Sequence, residues 1–183
     1  WELLPFWHTF FTKLGFTVYH SPFSSRNLYV QGQGTIPSDT VCFPAKLAHE
    51  HIQFLSKLGV DAIFYPCMTY NVDEGLGENH YNCPVVAYYP EVIAGNCPEV
   101  QEGGTKFIYD YVGIHRPKDF SRKIFEILRK TFPDLTKQEV REAADAAYAE
   151  YANHMALLRK EGGRMMERAR AEGRRIIVLA GRP

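Results

Sequence analysis

Apolar positions at residues 4 to 14 recur with helical spacing, placing Phe6, Phe10, Phe11 and Leu14 on related faces and predicting an amphipathic helix. The stretch GFTVYHSP that follows predicts a short strand closed by Pro22. After a loop carrying Gly32, Gly34 and Pro37, helical spacing returns from Pro44 to about Leu58 through Leu47, His51, Phe54 and Leu55, and Gly59 marks the C-terminal stop. VDAIFYP is then a nearly continuous apolar run of strand length, with Cys67 directly after its proline. Residues 68 to 82 show no periodicity and are expected as a loop. PVVAYYP reads as a second buried-type strand and TKFIYDYVG as a third.

A helix is predicted from Lys118 to Phe132, with Phe120, Ile124, Ile127 and Leu128 as its apolar stripe. From Thr136 the chain becomes rich in Ala, Glu, Arg and Lys, and Thr136 with Glu139 forms a capping-box pattern. Val140, Ala144, Ala147, Tyr151, His154 and Leu158 trace one face of this long helix. Gly162–Gly163 is expected to interrupt or bend it and Gly173 to end it. RRIIVLAGRP closes the sequence as a further strand.

Buried, non-alternating strands separated by helices signal a parallel sheet. The expected fold is therefore α/β and Rossmann-like, a mostly parallel sheet with flanking helices and a helical C-terminal extension. The organisation expected is an α/β lobe over residues 1–116, a helical segment over 117–174, and 175–183 as the first strand of a further lobe or a returning strand of the sheet. The opening WELLPFWHTFF lacks an initiator Met and reads as a piece of something larger.

Composition narrows the function classes. Lys and Arg number 21, as do Asp and Glu, so no basic excess points to nucleic acid. Apolar residues make up 45% and charged residues 23%, the proportions of a globular chain. No apolar run approaches a membrane span. Four cysteines are too few for a disulfide scaffold, and a reducing, cytoplasmic compartment is the expectation.

The cysteines carry the candidate chemistry. Cys42, in SDTVCFPAKLAHEHI, immediately precedes a predicted helix, with Pro44 in the first turn and Ser38 and Asp39 as upstream capping atoms. A thiol at a helix N-terminus sits at the positive end of the backbone dipole, which favours thiolate. Position alone leaves open a nucleophile, a redox thiol, a metal ligand or a small core residue. Cys67 lies at the carboxyl end of a predicted strand, where ligands gather in open α/β sheets. Two thiolates at one edge would begin a soft-metal or iron–sulfur site. Cys83 precedes a predicted strand and so falls at the opposite edge, unless the 68–82 loop holds it back. Cys97, in GNCPEV, is expected on a surface turn with a structural role. The successive spacings of 25, 16 and 14 residues contain no C-x-x-C pair, against compact zinc modules and thioredoxin-type motifs.

His49 and His51 stand two apart, so they face different directions on the helix; His51 shares the apolar face and is expected in the core. His80, in a polar loop, is expected to cap a turn. Nucleotide-binding glycine motifs and a nucleophile elbow are absent from the sequence.

Several uncommon motifs occur in order: PFWHTFFTKLGFTVYHSPFSS, IPSDTVCFPAKLAHEHI, GVDAIFYPC, NHYNCPVVAYYPEVI and the terminal IIVLAGRP. Together they resemble the uncharacterised domain that accompanies the ATPase modules of the 2-hydroxyglutaryl-CoA dehydratase type in large CoA-substrate-specific enzyme activases. That resemblance implies a relation to dehydratase and benzoyl-CoA-reductase-like subunits, Rossmann-like lobes holding a cysteine-ligated 4Fe–4S cluster. It implies Cys42 and Cys67 as ligands, with Cys83 as a third candidate in the HYNCP motif that lacks a secure counterpart. The implied partners are an ATP-hydrolysing activator module and a dehydratase-like domain, in the same or another chain. The activator's ATPase motifs do not occur in this sequence. A non-catalytic scaffold domain with inert cysteines, and a zinc site, are the alternatives.

Overall fold

The computed structural model describes residues 2–75, 77–102 and 104–179. Its organising element is a helix–strand–helix–strand unit. Helix α1 spans Leu4–Lys13, and α2, Arg26–Gly32, continues into a 3-10 turn at Gln33–Thr35. Helix α3, Phe43–Lys57, leads into strand β1, Ala62–Phe64. Helices α4, Pro84–Asn96, and α5, Pro98–Gln101, then cross over to strand β2, Lys106–Ile108. Helices α6, Pro117–Leu128, and α7, Lys137–Ala171, complete the order.

The two strands pair in parallel, with Ala62, Ile63 and Phe64 opposite Lys106, Phe107 and Ile108. Pairing continues past the strand ends, because Cys67 N–H donates to the Asp110 carbonyl at 3.2 Å and Val112 N–H to the Cys67 carbonyl at 3.2 Å. Alternate residues serve opposite faces, as the pleat requires. Ile63 and Phe107 pack with α3 and α4 residues, including Ala45, Ile52, Tyr89 and Ile93. Ala62, Phe64 and Ile108 pack with α1, α6 and α7, through residues such as Phe6, Phe10, Phe120, Leu128 and Val140. Covering both faces of a parallel pair with helices is the three-layer solution for strands that are apolar on both sides.

This confirms the mixed α/β expectation with a parallel pairing, but the sheet among the described residues has two strands, not the larger Rossmann-like sheet expected. Three predicted strands account for the difference. PVVAYYP is the start of α4, with Pro84 in its first turn and Pro90 inside it. A short apolar run does not by itself separate a buried strand from a buried helix, and Pro90 argues against a central strand. Residues 16–25 form no regular element, and neither do 174–179; Ala180 to Pro183 lie outside the described residues. Lacking a neighbouring strand, these apolar stretches have no ladder in which to pair.

The helical forecasts fared better. The Thr136 hydroxyl accepts from Glu139 N–H, and the Glu139 carboxylate accepts from Thr136 N–H, the reciprocal capping box. Gly59 ends α3 with φ +70°, a conformation that strains any residue with a Cβ. The Gly162–Gly163 pair does not break α7, which runs unbroken from Lys137 to Ala171. The aromatic positions of α1 converge as predicted, with Phe6 centred 5.3 Å from Phe120 and 4.9 Å from Tyr148 in edge-to-face arrangements.

Candidate thiol site at the carboxyl edge of the sheet

A helix joined to a parallel strand by a short turn runs back along it, so the N-terminus of α3 lies towards the carboxyl end of β1. Cys42 is the N-cap of α3 and is exposed. Its thiol makes no capping hydrogen bond. The expected upstream caps are otherwise engaged, since the Ser38 hydroxyl pairs with Thr40 at 2.8 Å and Asp39 with Lys46 through its carbonyl, also at 2.8 Å. Cys67 sits just beyond β1, buried, in a parallel bridge with Tyr111. Burial, followed by the charges of Glu91 and Asp110, pushes its thiol pKa up. In the resting arrangement Cys67 is therefore held as the thiol.

Cys83 shows why the 68–82 segment matters. The segment is a folded-back hairpin: Tyr70 and Tyr81 form an antiparallel bridge, and Asn71 N–H donates to the His80 carbonyl at 2.8 Å. The Asn82 side-chain amide donates to the Met68 carbonyl at 2.9 Å, and Asn82 N–H to the Thr69 carbonyl at 3.1 Å. The hairpin thus returns the chain to the end of β1, where half-buried Cys83 becomes the N-cap of α4. The expectation that an element following Cys83 would place it at the opposite edge rested on a strand that is a helix. His80 lies in the same hairpin with Nε2 3.4 Å from Asp73 Oδ1.

The topology brings Cys42, Cys67 and Cys83 to one edge of the sheet, and cysteine thiolates are the donors an iron–sulfur cluster requires. They suit such a group in donor chemistry but do not form a closed cage. Among the described residues, no group of three or more His, Cys, Asp or Glu side chains is arranged to hold a metal ion.

Cys97 has a different setting. It is fully buried rather than on a surface turn. Its Sγ lies 3.6 Å from Thr35 Oγ1 and 3.6 Å from His49 Nδ1. Thr35 Oγ1 is 2.8 Å from His49 Nδ1, and His49 Nε2 is 2.9 Å from the Tyr89 hydroxyl. Thr35 also donates to the Gly32 carbonyl at 3.2 Å. One proton arrangement satisfies every group: His49 donates from Nδ1 to Thr35 and accepts at Nε2 from Tyr89, while the Cys97 thiol donates to Thr35. Burial lowers the His49 pKa and raises those of Cys97 and Tyr89, keeping all three neutral. A fully satisfied neutral network of this kind ties the 3-10 turn to α3, α4 and α5.

This network was missed because hydrophobic spacing placed His51 in the core; His49 is the fully buried one, and His51 is half-buried with Nε2 2.9 Å from Ser24 Oγ. A polar residue that gains buried partners leaves no apolar signature. A usable signal was the repeated cysteine before a helix-starting proline, at Cys42-Phe43-Pro44, Cys83-Pro84 and Cys97-Pro98. Glu50 is also buried, with both carboxylate oxygens lacking a hydrogen-bond partner, and burial raises its pKa. Gly32 presses on its backbone: a Cβ there would stand 2.7 Å from Glu50 N.

No helix among the described residues is long and apolar enough to cross a membrane. No curated protein and no solved structure matches the chain. The family described as the CoA enzyme activase uncharacterised domain matches residues 1–183, its whole length, and the chain belongs to that family.

Proposed function

We propose that this domain holds or receives an iron–sulfur cluster at the carboxyl edge of β1 and β2, as an electron-transfer element of a CoA enzyme activase system. The observation that carries the reading is the topology: Cys42 and Cys83 are the N-caps of α3 and α4, which precede and follow β1, and Cys67 lies just past the carboxyl end of that strand. Membership of the activase family supplies the context. Cys42 and Cys83 would act as thiolate donors at the N-termini of α3 and α4, where the helix dipoles favour negative charge. Cys67 would join them on losing its proton, which binding to iron drives. A bound 4Fe–4S cluster would supply low-potential one-electron chemistry, serving ATP-dependent activation of an acyl-CoA-processing enzyme. The ATP-hydrolysing module and the acyl-CoA enzyme are its partners in this reading.

Anaerobic reconstitution with iron and sulfide, followed by metal analysis and absorption spectroscopy, tests the proposal. The expected result is a brown protein whose iron content falls at least about tenfold in Cys42→Ala, with Cys97→Ala folding less stably but still loading. A chain that stays colourless and iron-free, with Cys42→Ala indistinguishable from it, overturns the proposal.

A second reading, a docking domain with inert cysteines, draws on the burial of Cys67 and its raised pKa. Thiol labelling separates the two. Inert cysteines predict rapid labelling of exposed Cys42 alone, unaffected by reconstitution; a ligand site predicts that reconstitution protects Cys42 and Cys83.

A further inference from the structure

A strand in a parallel ladder bonds its neighbour through the peptide groups of alternate residues and turns the others outward. In β2 and its continuation the bonded set is Lys106, Ile108, Asp110 and Val112. Lys106 N–H donates to the Asp61 carbonyl, the Ile108 and Asp110 carbonyls accept from Tyr65 and Cys67 N–H, and Val112 N–H donates to the Cys67 carbonyl. The N–H and C=O groups of Phe107, Tyr109 and Tyr111 therefore face away from β1, and no backbone group among the described residues bonds them. The stretch from Phe107 to Tyr111 contains no proline to blunt this edge.

The side chains of the same three residues share the face that α4 covers. The Phe107 and Tyr109 rings stack with centroids 5.4 Å apart. Tyr109 and Tyr111 are 40% and 38% exposed, as is Tyr88 of α4 at 45%, centred 5.9 Å from Tyr111. The Tyr111 hydroxyl donates to Glu91 Oε1 at 2.7 Å, which fixes the carboxylate beside these rings. No lysine, arginine or histidine among the described residues pairs with Glu91.

Backbone and side chains select the same occupant. A row of unpaired peptide donors and acceptors is matched by an extended backbone, whereas the peptide groups of a helix are already paired with each other. A carboxylate among tyrosine faces, with no cation of its own, is matched by a guanidinium or ammonium group. Phosphate surfaces would meet Glu91 with like charge, and a second β2 edge would satisfy the peptides but leave Glu91 uncompensated. We propose that the outer edge of β2, from Phe107 to Tyr111, docks an extended segment of a protein partner, which adds to the sheet as a third strand and lays an arginine or lysine against Glu91 beside Tyr88 and Tyr111. The edge adjoins Cys67, whose bridge partner is Tyr111, but uses no thiol, so it stands or falls separately from the cluster.

The test titrates the full chain into a fluorescent peptide of alternating Val and Thr with a central Arg, and into the same peptide with Glu in place of Arg. Two further versions of the Arg peptide carry N-methyl groups on alternate amides, one in each register. The Arg peptide is expected to bind at roughly 10–100 micromolar, at least about tenfold tighter than the Glu peptide. One N-methyl register should abolish binding and the other leave it within about twofold, because an added strand bonds the edge through every second amide. Glu91→Gln keeps an acceptor for Tyr111 and should weaken the Arg peptide to the level of the Glu peptide. Tyr109→Pro removes an outward N–H that the fold does not use and should abolish binding without changing the circular dichroism spectrum. The N-methyl series leaves the protein untouched, so the outcome does not hang on the folding of Tyr109→Pro. Equal binding of the Arg and Glu peptides, indifference to both N-methyl registers, full binding by Glu91→Gln, or no saturation at millimolar peptide overturns the proposal. A concentration-dependent dimer that Tyr109→Pro abolishes overturns it in favour of self-pairing of β2 edges.

Discussion

The two faces of the β1–β2 sheet are covered by cores of different chemistry. On one face, α1, α6 and α7 enclose an apolar cluster dense in edge-to-face aromatic pairs, among them Phe6–Phe120, Phe10–Phe120 and Phe6–Tyr148. On the other, α3, α4 and α5 enclose fewer apolar side chains and a threonine–histidine–tyrosine–cysteine network, with Glu50 buried nearby in α3 without a hydrogen-bond partner. The first core is held by area and shape, which degrade gradually as atoms are removed. The second depends on donor and acceptor matching, where one lost atom leaves others stranded. Two of the candidate thiols, Cys42 and Cys83, stand at the N-termini of helices on the second side and Cys67 just beyond β1, so the geometry of that edge rests in large part on the more exacting core.

The comparison is broken most severely at Phe6. Phe6→Ala removes a fully buried ring from the apolar core and should cost about 3–5 kcal/mol in urea or guanidinium unfolding. A loss near 1 kcal/mol would mean that α1 contributes little to that core. Next is Tyr89→Phe, which removes a single oxygen and strands His49 Nε2. It should cost about 1–3 kcal/mol, far more per atom than Phe6→Ala. A near-neutral result would show that the network is not what secures α4 to α3.

The smallest effect is a pH dependence at Glu50. Its folded pKa is raised by burial, so the folded state holds the proton more tightly than the unfolded chain. That contribution to stability is complete below the unfolded pKa and is lost as pH rises through the folded one. Glu50→Gln removes it, so the variant's stability relative to the parent should rise as pH increases above the carboxylate range and then level off. The lowered pKa of His51, whose Nε2 is 3.7 Å from Glu50, acts in the opposite sense: its contribution is lost as pH falls through the ordinary histidine range. Unfolding curves of both proteins across pH separate the two, and parallel curves would show Glu50 to be solvated.

Much of the apolar side was legible from spacing alone. Phe6 and Phe10 in α1, the stripe of α6 and the capping box at Thr136 all concern neighbours a few residues apart, whose energetics a local pattern carries. The cysteine edge was legible in part. Cys42 before a helix and Cys67 after a strand followed from local order, whereas the place of Cys83 depended on whether residues 84–90 form a strand or a helix and on the fold of the hairpin before them.

By itself the sequence determined where α1, α3, α6 and α7 form, because caps, prolines and helical periodicity act within a turn or two of the chain. It also determined that four thiols were available, three of them just ahead of a proline. Only the tertiary structure decided which apolar runs had a strand to pair with, and so left the sheet among the described residues with two strands. Tertiary contact alone chose His49 over His51 for the core, because a buried histidine is stabilised by partners 14, 40 and 48 residues away, which no local pattern contains.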